Sequence, residues 1–252
     1  MSAERLAELL RDAGPAVVLT GAGVSVPSGI PDFRTPLTGL WANVDPMEVA
    51  HIDVWRRDPK RFWDFYGQRF AILDGKEPNG AHRAIAELER RGLVSGVVTQ
   101  NIDGLHALAG SDPIEVHGSI QTASCLACHA RHSLADTRLR AEANDGVPLC
   151  DCGAVLKPDV VLFGELLPER AMLRATALAV SSGLMLAIGS SLEVWPVAGL
   201  PEDTLRAGGK LALVTKGPTP YDRLAEVKLS GDVVDELEAV VALLGGVEGP
   251  RA

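Results

Sequence analysis

The stretch TGAGVSVPSGIPDFR (residues 20–34) directly follows the apolar run AVVL (residues 16–19). The apolar run is rich in β-branched residues and predicts a buried strand. Glycines at the exit of such a strand allow a sharp turn and bring backbone N–H groups close to a ligand phosphate. However, Val26 stands where the dinucleotide fingerprint GxGxxG has its third glycine, and Pro27 and Pro31 favour a loop over a helix. The stretch predicts either a phosphate-binding turn leading into a long loop or a plain surface loop.

Composition limits the class of protein. The chain has 252 residues and a formal net charge of -9. This acidic balance argues against a protein that binds nucleic-acid phosphates directly. No stretch reaches the roughly 20 apolar residues that a membrane span needs, and the N-terminus lacks the apolar centre of a signal peptide. We expect a folded cytoplasmic protein with neither a membrane nor a nucleic-acid partner.

Strand-like and helix-like segments alternate along most of the chain. Alternation of this kind predicts a parallel sheet with helices on both faces, which binds ligands beyond the carboxyl ends of its strands. Two insertions, at about 35–78 and 119–157, interrupt it and are expected to form a smaller lobe. The predicted strands are 16–20, 97–99, 160–163, 184–188, 211–215 and 227–229, and the predicted helices are 3–12, 59–73, 81–91, 168–180 and 232–244.

The four cysteines form two close pairs, Cys125-x-x-Cys128 and Cys150-x-Cys152. Paired thiolates at this separation predict one tetrahedral structural zinc ion. Disulfide bonds are the less favoured alternative, because they are rare in cytoplasmic proteins. The second pair is one residue shorter than the common CxxC, so His129 or His132 could replace a cysteine that is out of reach. Four thiolates leave no open coordination position, so this zinc is expected to be structural.

Polar residues follow several predicted strands. TQNIDGLH (residues 99–106) could bind the amide of a ligand or form an ordinary polar turn. His117 could be a general base, or simply a packed or surface histidine. Gly189-Ser190-Ser191 could bind a phosphate. The run KPDVVLFGE (157–165) begins as a turn and continues as a strand, with a free edge near Phe163 that could pair with an extended peptide.

These motifs, together with GSSLEVWPV (189–197), closely resemble the sirtuins in their order and spacing. Sirtuins are NAD-dependent protein lysine deacylases, and the resemblance covers almost the whole chain. It implies an α/β fold in which a Rossmann-like, doubly wound parallel sheet carries a smaller lobe. The implied NAD-binding domain comprises residues 1–34, 79–118 and 158–252. The lobe comprises a helical insertion (35–78) and a zinc-binding insertion (119–157).

The resemblance also implies roles for individual residues. His117 would be the general base that activates a ribose hydroxyl, with Asn101 as a second catalytic residue, and the products would be free lysine, nicotinamide and acyl-ADP-ribose. The implied metal ligands are Cys125, Cys128, Cys150 and Cys152. The implied NAD-binding residues are Gly21, Ala22, Gly23, Ser25, Asp32, Phe33, Arg34, Gln100, Asn101, Ile102, Asp103, Gly189, Ser190, Ser191, Thr215, Lys216, Gly217 and Val233. The implied peptide-binding residues are Val160, Val161, Leu162, Phe163, Gly164 and Glu165.

The predicted helix at 59–73 contains Tyr66 and Arg69, which resemble the Tyr-x-x-Arg pair of the sirtuins that remove succinyl and malonyl groups. At i and i+3 the two residues share one helix face, where a hydroxyl and a guanidinium could bind a carboxylate. The alternative is an aromatic stripe for packing beside a solvated Arg69. The loop at 35–41 does not have the form associated with that class, but the register of the pair favours the carboxylate-binding role. We therefore expect a preference for acidic acyl groups with residual deacetylation, and a deacetylase without that preference is the alternative.

The implied partners are NAD and acylated-lysine proteins or peptides, and the chain is expected to be a monomer. Thr215 stands where relatives usually have an asparagine that binds the adenosine ribose, and the CxC pair is a second departure. A protein ADP-ribosyltransferase is the rival enzyme, in which a protein side chain attacks the activated ribose carbon. A non-catalytic NAD or ADP-ribose sensor is the rival outside enzymes. We expect the stretch at 20–34 to close over bound NAD.

Overall fold

The computed structural model describes residues 2–32, 44–73 and 75–245, without the side chains of Gln68 and Arg69. Its strands are β1 (Ala16–Thr20), β2 (Val94–Thr99), β3 (Ile114–Glu115), β4 (Gly118–Cys125), β5 (Arg131–Ser133), β6 (Leu156–Val160), β7 (Leu184–Ile188), β8 (Lys210–Val214) and β9 (Val227–Leu229). Its α-helices are α1 (Ala3–Asp12), α2 (Pro46–Val49), α3 (Ile52–Arg57), α4 (Pro59–Leu73), α5 (Gly80–Arg90), α6 (Leu105–Leu108), α7 (Leu134–Glu142), α8 (Glu169–Ser181), α9 (Leu200–Arg206) and α10 (Val233–Leu244).

The main sheet has the strand order β3-β2-β1-β7-β8-β9, and its paired strands are all parallel. With β7, β8 and β9 taken as strands four to six, this is the 3-2-1-4-5-6 order of the Rossmann fold. From β1 the next strands are added on one side of the sheet, and from β7 onward they are added on the other side. The carboxyl ends of β1 and β7 therefore form the topological switch point. The predicted doubly wound parallel sheet is therefore confirmed.

Helices cover both faces of this sheet. Alternate residues of β1 point to opposite sides, so Val18 joins the core formed with α1, α5 and α10, whereas Val17 and Leu19 join the core formed with α8 and α9. All five residues of β1 are buried. A strand that is buried along its whole length is typical of a parallel sheet covered on both faces.

The smaller lobe contains the antiparallel sheet β5-β4-β6. Aromatic residues of α3 and α4 pack against Ile120, Val160 and Leu162. The indole N–H groups of Trp55 and Trp63 both donate to the carbonyl oxygen of Leu156, each at 3.1 Å. The helical insertion and the cysteine-bearing insertion therefore share one core, as expected.

The strand predicted at 160–163 is wrong. The strand in this region is β6, which begins at Leu156, ends at Val160 and belongs to the small sheet. Pro158 made a strand improbable here because proline has no N–H for a ladder, yet β6 lies at an edge of its sheet, where proline is tolerated. The boundary expected between residues 157 and 158 thus falls inside β6.

The other predicted strands and helices are present, with small differences at their ends. The turn after β1 is not an α-helix but two short 3₁₀ segments, Ala22–Val24 and Val26–Ser28. Among the described residues, no helix has the length and apolar character that a membrane crossing requires.

Candidate active site

Two glycine turns meet at the switch point. The N–H of Gly21 donates to the carbonyl of Ile188 at 3.0 Å, and the N–H of Gly23 donates to the carbonyl of Gly189 at 2.8 Å. A Cβ atom on Gly23 would lie 2.7 Å from the Cα of Gly189, closer than real Cβ contacts come. Glycine is therefore required at residue 23 for the exits of β1 and β7 to approach each other, and the backbone rather than side chains lines the crevice here.

Ser25 lies at the centre of a buried polar network beside this turn. Its hydroxyl donates to Asp103 Oδ2 at 2.7 Å and accepts from the amide of Asn101 at 3.1 Å. The same amide reaches the carbonyl of Gly21 at 3.2 Å, and Asp103 Oδ1 accepts from the N–H of Leu105 at 2.9 Å. The structure therefore brings together Gly21, Ser25, Asn101 and Asp103.

Gln100 joins the ends of three strands. Its N–H donates to the carbonyl of Thr20 at 3.0 Å, and its side-chain amide donates to the hydroxyl of Ser190 at 2.9 Å. That hydroxyl also accepts from the N–H of Leu192 at 3.2 Å. Gln100 and Ser190 thus link β2 to β7 across the intervening end of β1.

His117 lies where the chain passes from the main sheet to the small one, between β3 and β4. Its Nδ1 is 2.9 Å from the carbonyl oxygen of Gln100. A carbonyl only accepts, so Nδ1 carries the proton and Nε2 of the neutral ring keeps its lone pair. Burial lowers the pKa of His117 below its ordinary value, although the bond to Gln100 opposes this effect. The ring is therefore neutral near pH 7 and can accept a proton at Nε2.

His82 was assigned no role from the sequence; it lies in the first turn of α5 and is fully buried. Its Nδ1 faces the N–H of Asn79 at 3.4 Å, and its Nε2 is 3.4 Å from the hydroxyl of Ser25. Because an N–H occupies Nδ1, the ring proton is on Nε2 and is directed to Ser25. The sequence signal was the Asn-x-x-His spacing of Asn79 and His82, a capping box with histidine at the position where glutamate or glutamine is usual.

His106 is the second buried histidine, and its ring contacts that of His82 with centroids 4.8 Å apart. Its Nε2 lies 2.9 Å from the hydroxyl of Thr20, which donates to that of Thr99 at 2.8 Å. Burial lowers the pKa of His82 to about 4, which nearby Asp103 opposes and Arg83 reinforces. Burial, and to a lesser extent His82, lowers the pKa of His106 to about 3. Both rings are neutral in the folded protein at neutral pH.

A second group of predicted NAD-binding residues lies farther along the same edge of the sheet. Thr215 follows β8 and donates its N–H to the carbonyl of Leu229 at 2.9 Å. Lys216 pairs with Asp232 at 3.3 Å, directly before Val233, the first residue of α10. Ile102 is different, because its side chain packs against the aromatic core of the smaller lobe. Asp32 is at the end of the described range, and Phe33 and Arg34 lie outside the described residues, as does the loop at 35–41.

The predicted peptide-binding segment, residues 160–165, contacts both His117 and the helical part of the smaller lobe. The N–H of Val161 donates to the carbonyl of His117 at 2.8 Å. Phe163 accepts from the N–H of Ile52 at 2.9 Å and donates to the carbonyl of Ala50 at 3.0 Å. The expectation of a free backbone edge near Phe163 is therefore wrong on that side, because α3 and the residues before it already pair there. Phe163 as a whole residue is 44% exposed.

Tyr66 lies on α4 within a stack of rings. Its ring packs on Phe62 with centroids 4.5 Å apart and planes at 19°, and it meets Phe65 and Phe70 edge to face. The aromatic stripe considered as the packing alternative is thus present. The side chain of Arg69 lies outside the described part of the structure.

The four cysteine Sγ atoms cluster, all within 4.8 Å of one another. Cys125 is 3.5 Å from Cys152, and Cys128 is 3.5 Å from Cys150. A disulfide would bring sulfurs to about 2 Å, whereas tetrahedral zinc with Zn–S bonds of about 2.3 Å separates them by nearly 4 Å. All four thiols fit one structural zinc ion. The short CxC pair is followed by a tight turn at Gly153, whose φ is 86° and whose N–H donates to the carbonyl of Cys150 at 2.9 Å. His129 and His132 are not needed as substitutes.

Comparisons with known proteins agree with this geometry. A model of the Sir2 family matches residues 21–196. The NAD-dependent protein deacetylase of Sulfolobus acidocaldarius is 43% identical over 226 residues, which are 89% of this chain and 88% of that protein. NAD-dependent protein deacylase 2 of Archaeoglobus fulgidus is 44% identical over 241 residues, 94% of each protein.

A solved structure of a Sir2 variant with a deacetylated p53 peptide and 3'-O-acetyl ADP ribose is 40% identical to this chain. It aligns with a TM-score of 0.92 over 98% of this chain and 100% of that one. The extent of these matches shows that the chain belongs to the Sir2 family.

Proposed function

We propose that the protein is an NAD-dependent protein-lysine deacylase. It transfers the acyl group from a lysine side chain to ADP-ribose and releases nicotinamide, giving 2'-O-acyl-ADP-ribose. The observation that carries this proposal is His117, a neutral, partly buried histidine with its Nε2 lone pair available at the switch-point crevice. Family membership and the names of the relatives support the same activity.

The crevice residues have distinct proposed roles in NAD binding. The backbone of the Gly21–Ser25 turn suits a pyrophosphate, because close packing on Gly189 leaves no side chain in the way. Asn101 and Asp103 offer an amide and a carboxylate to the ribose and the nicotinamide carboxamide. Gly189, Ser190 and Ser191 bind phosphate and ribose on the adenosine side, next to Thr215.

The proposed proton transfer uses one atom of the protein. His117 Nε2 accepts a proton from a ribose hydroxyl, while the bond from Nδ1–H to the carbonyl of Gln100 holds the ring in the required tautomer. Stabilisation of the resulting imidazolium by that carbonyl makes the transfer more favourable. Bound zinc supplies only structural support, since four thiolates complete its coordination.

The acyl-lysine segment of the substrate is proposed to lie along Val160–Glu165, next to His117. This segment lies between the small lobe and the main sheet, and its contact with His117 joins it to the reaction site. An extended substrate chain would bind there by hydrogen bonds to backbone groups of the segment that do not already pair with His117, Ala50, Ile52, Lys157 or Glu165.

We further propose that Tyr66 and Arg69 allow acyl groups with a terminal carboxylate, such as succinyl and malonyl. The support is that both residues lie on α4 at i and i+3, so they share one face of a regular helix. Deacetylation accompanies this activity. The test is the ratio of kcat/KM on matched succinyl- and acetyl-lysine peptides, which Arg69→Met should shift toward acetyl by about tenfold or more. An unchanged ratio would remove the carboxylate-binding role.

The activity itself is tested by incubating an acetyl-lysine peptide with the protein in the presence and absence of NAD. Deacylation that depends on NAD supports the proposal. Transfer of ADP-ribose to the peptide would instead indicate an ADP-ribosyltransferase, and NAD binding without any turnover would indicate a sensor.

A further inference from the structure

Lys157 is a charged residue held almost entirely away from solvent. Its side chain is only 10% exposed. The ammonium group lies 3.1 Å from the carbonyl of Pro158, 2.9 Å from the carbonyl of Val160 and 2.9 Å from Glu165 Oε2. The three N–H donors of the ammonium group thus each have one oxygen acceptor. The free-energy cost of removing both charges of an ion pair from water is about as large as the gain from their attraction. Stability alone is therefore a weak reason for this arrangement.

Glu165 connects this ammonium group to the backbone of the next segment. The oxygen that faces Lys157, Oε2, also accepts from the N–H of Leu162 at 2.9 Å. The N–H of Glu165 in turn donates to the carbonyl of Leu162 at 3.0 Å. The ion pair therefore joins the end of β6 to Leu162 and Glu165, and it closes residues 158–165 into a fixed loop.

The closed loop lies between two other parts of the molecule. On one side the N–H of Val161 donates to the carbonyl of His117. On the other side the backbone of Phe163 pairs with Ala50 and Ile52 of the small lobe. A shift of the loop would therefore change its position relative to His117 directly.

We propose that Lys157 and Glu165 are positioning residues that fix the segment 161–164 beside His117 for binding of the acylated chain. The proposal rests on the proposed function, in which this segment binds the substrate peptide. Lys157 contacts neither substrate nor NAD in this account; it acts through the carbonyls of Pro158 and Val160 and through Glu165.

The chain contains a matched lysine–carboxylate pair elsewhere. Lys228, on β9, lies 2.7 Å from Asp222 and 2.8 Å from the carbonyl of Gly217, with a side chain 14% exposed. This pair resembles Lys157–Glu165 in burial and partners but lies on the main sheet. Lys228→Met therefore controls for the general effect of leaving a half-buried carboxylate without its cation.

The experiment compares Lys157→Met, Glu165→Gln, the double variant and Lys228→Met by steady-state kinetics with an acetyl-lysine peptide. We expect Lys157→Met to raise the KM for the peptide about tenfold while the KM for NAD stays within about twofold. Lys228→Met should leave the peptide KM unchanged. The double variant should be no worse than Lys157→Met, because it removes the stranded charge of Glu165.

Hydrogen exchange of the protein without any ligand gives a readout independent of turnover. Lys157→Met should accelerate exchange in residues 158–165, and Lys228→Met should not. A folded Lys157→Met with wild-type peptide KM and wild-type exchange would overturn the proposal, and so would an equal rise of peptide KM in both lysine variants. If Lys157→Met does not fold, Glu165→Gln gives the same two readouts, since its amide can still accept from Leu162. If the wild-type protein does not deacylate, the proposed function fails, while exchange still decides whether the pair fixes the loop.

Discussion

The polar network of the switch-point crevice and the cysteine cluster of the small lobe are both partly buried sets of polar groups, yet they are stabilised in different ways. In the crevice the hydroxyl of Ser25 donates to Asp103 and accepts from Asn101, so protein groups satisfy it. In the lobe the Sγ atoms of the four cysteines lie against one another. Ionised thiols in such a cluster repel unless a cation joins them. The polar groups of the crevice are therefore satisfied by the protein itself, whereas the cysteine cluster is expected to depend on a bound metal ion.

His117 lies between these two regions, since β3 of the main sheet ends two residues before it and β4 of the small sheet begins directly after it. Its Nδ1–H donates to the carbonyl of Gln100, which directly follows β2 of the main sheet. Its own carbonyl accepts from the N–H of Val161, which directly follows β6 of the small sheet. Catalysis is thus expected to need both regions, each for a different reason, and the two can be perturbed separately.

The largest effect is expected from removing the metal. Cys125→Ser should lose zinc and unfold the small lobe, because binding of a structural zinc ion is worth about 10 kcal/mol or more in small zinc modules. The main sheet should persist, since its two cores lie on either side of β1 and do not include the cysteines. Metal content and thermal unfolding check this result, with chelation and re-addition of zinc to the wild type as the control. One full equivalent of zinc in a variant of unchanged Tm would contradict it.

The second largest effect is expected on the chemical step, from substitution of His117. His117→Ala should lower kcat by about 10²-fold or more, the usual contribution of a general base, with NAD binding nearly unchanged. His117→Asn is the matched variant, because its amide can still donate to the carbonyl of Gln100 without supplying a base. If the asparagine variant recovered wild-type kcat, the ring would be a structural element rather than the base.

A smaller effect is expected within the crevice. Ser25→Ala removes the donor to Asp103 and one acceptor of Asn101, and an unpaired buried group costs about 1–3 kcal/mol. The KM for NAD should rise about tenfold or more, and the peptide KM should remain near its wild-type value. Ser95→Ala is the control, because its hydroxyl donates to the carbonyl of Ala16 at the opposite end of β1, away from the network. Equal effects of the two serine variants would contradict a specific role for Ser25.

The smallest effect concerns pH and two of the buried histidines, His82 and His106. Burial lowers the pKa of His82 to about 4 and of His106 to about 3, so the unfolded chain, with an ordinary histidine pKa, binds more protons. The free energy of unfolding is therefore largest above pH 6.5 and falls as the pH drops, by up to about 1.4 kcal/mol per unit for each histidine.

His106→Gln should make this slope shallower, because glutamine does not titrate and can still donate to the hydroxyl of Thr20. Urea unfolding of both proteins at pH 7, 6 and 5 measures the slopes. Protonation of the zinc ligands changes the free energy of unfolding of both proteins equally, so it cancels when the two slopes are subtracted. Identical slopes would show that His106 is not a source of the pH dependence.

The main sheet could be predicted from the sequence because β1 and β7 are short runs of mainly apolar residues, each followed directly by a glycine. The strand β6 was not, since Pro158 and Asp159 argue against a strand and only its edge position accommodates them. Conversely, the apolar run from Val160 to Phe163 looks like a strand but is held by bonds to His117 and Ala50, which are distant in the chain. Such partners cannot be inferred from local patterns.

The site was predictable to a similar degree. Residues such as Gln100 and Asn101 follow a strand and were found because parallel strands place their ends along one edge. His82 was missed because it lies inside a helix, where a histidine gives no sign that the fold turns it toward Ser25. The ion pair of Lys157 and Glu165 was hidden for the same reason, since it depends on how the segment between them folds back.

The product balance tests the central claim most directly. Wild-type protein is incubated with NAD and an acetyl-lysine peptide, and nicotinamide, free-lysine peptide and acetyl-ADP-ribose are quantified together by mass spectrometry. Our account predicts that the three products form in equal amounts and that His117→Ala forms neither the free-lysine peptide nor acetyl-ADP-ribose at a comparable rate. Free acetate without consumption of NAD, or ADP-ribose attached to the peptide, would contradict it.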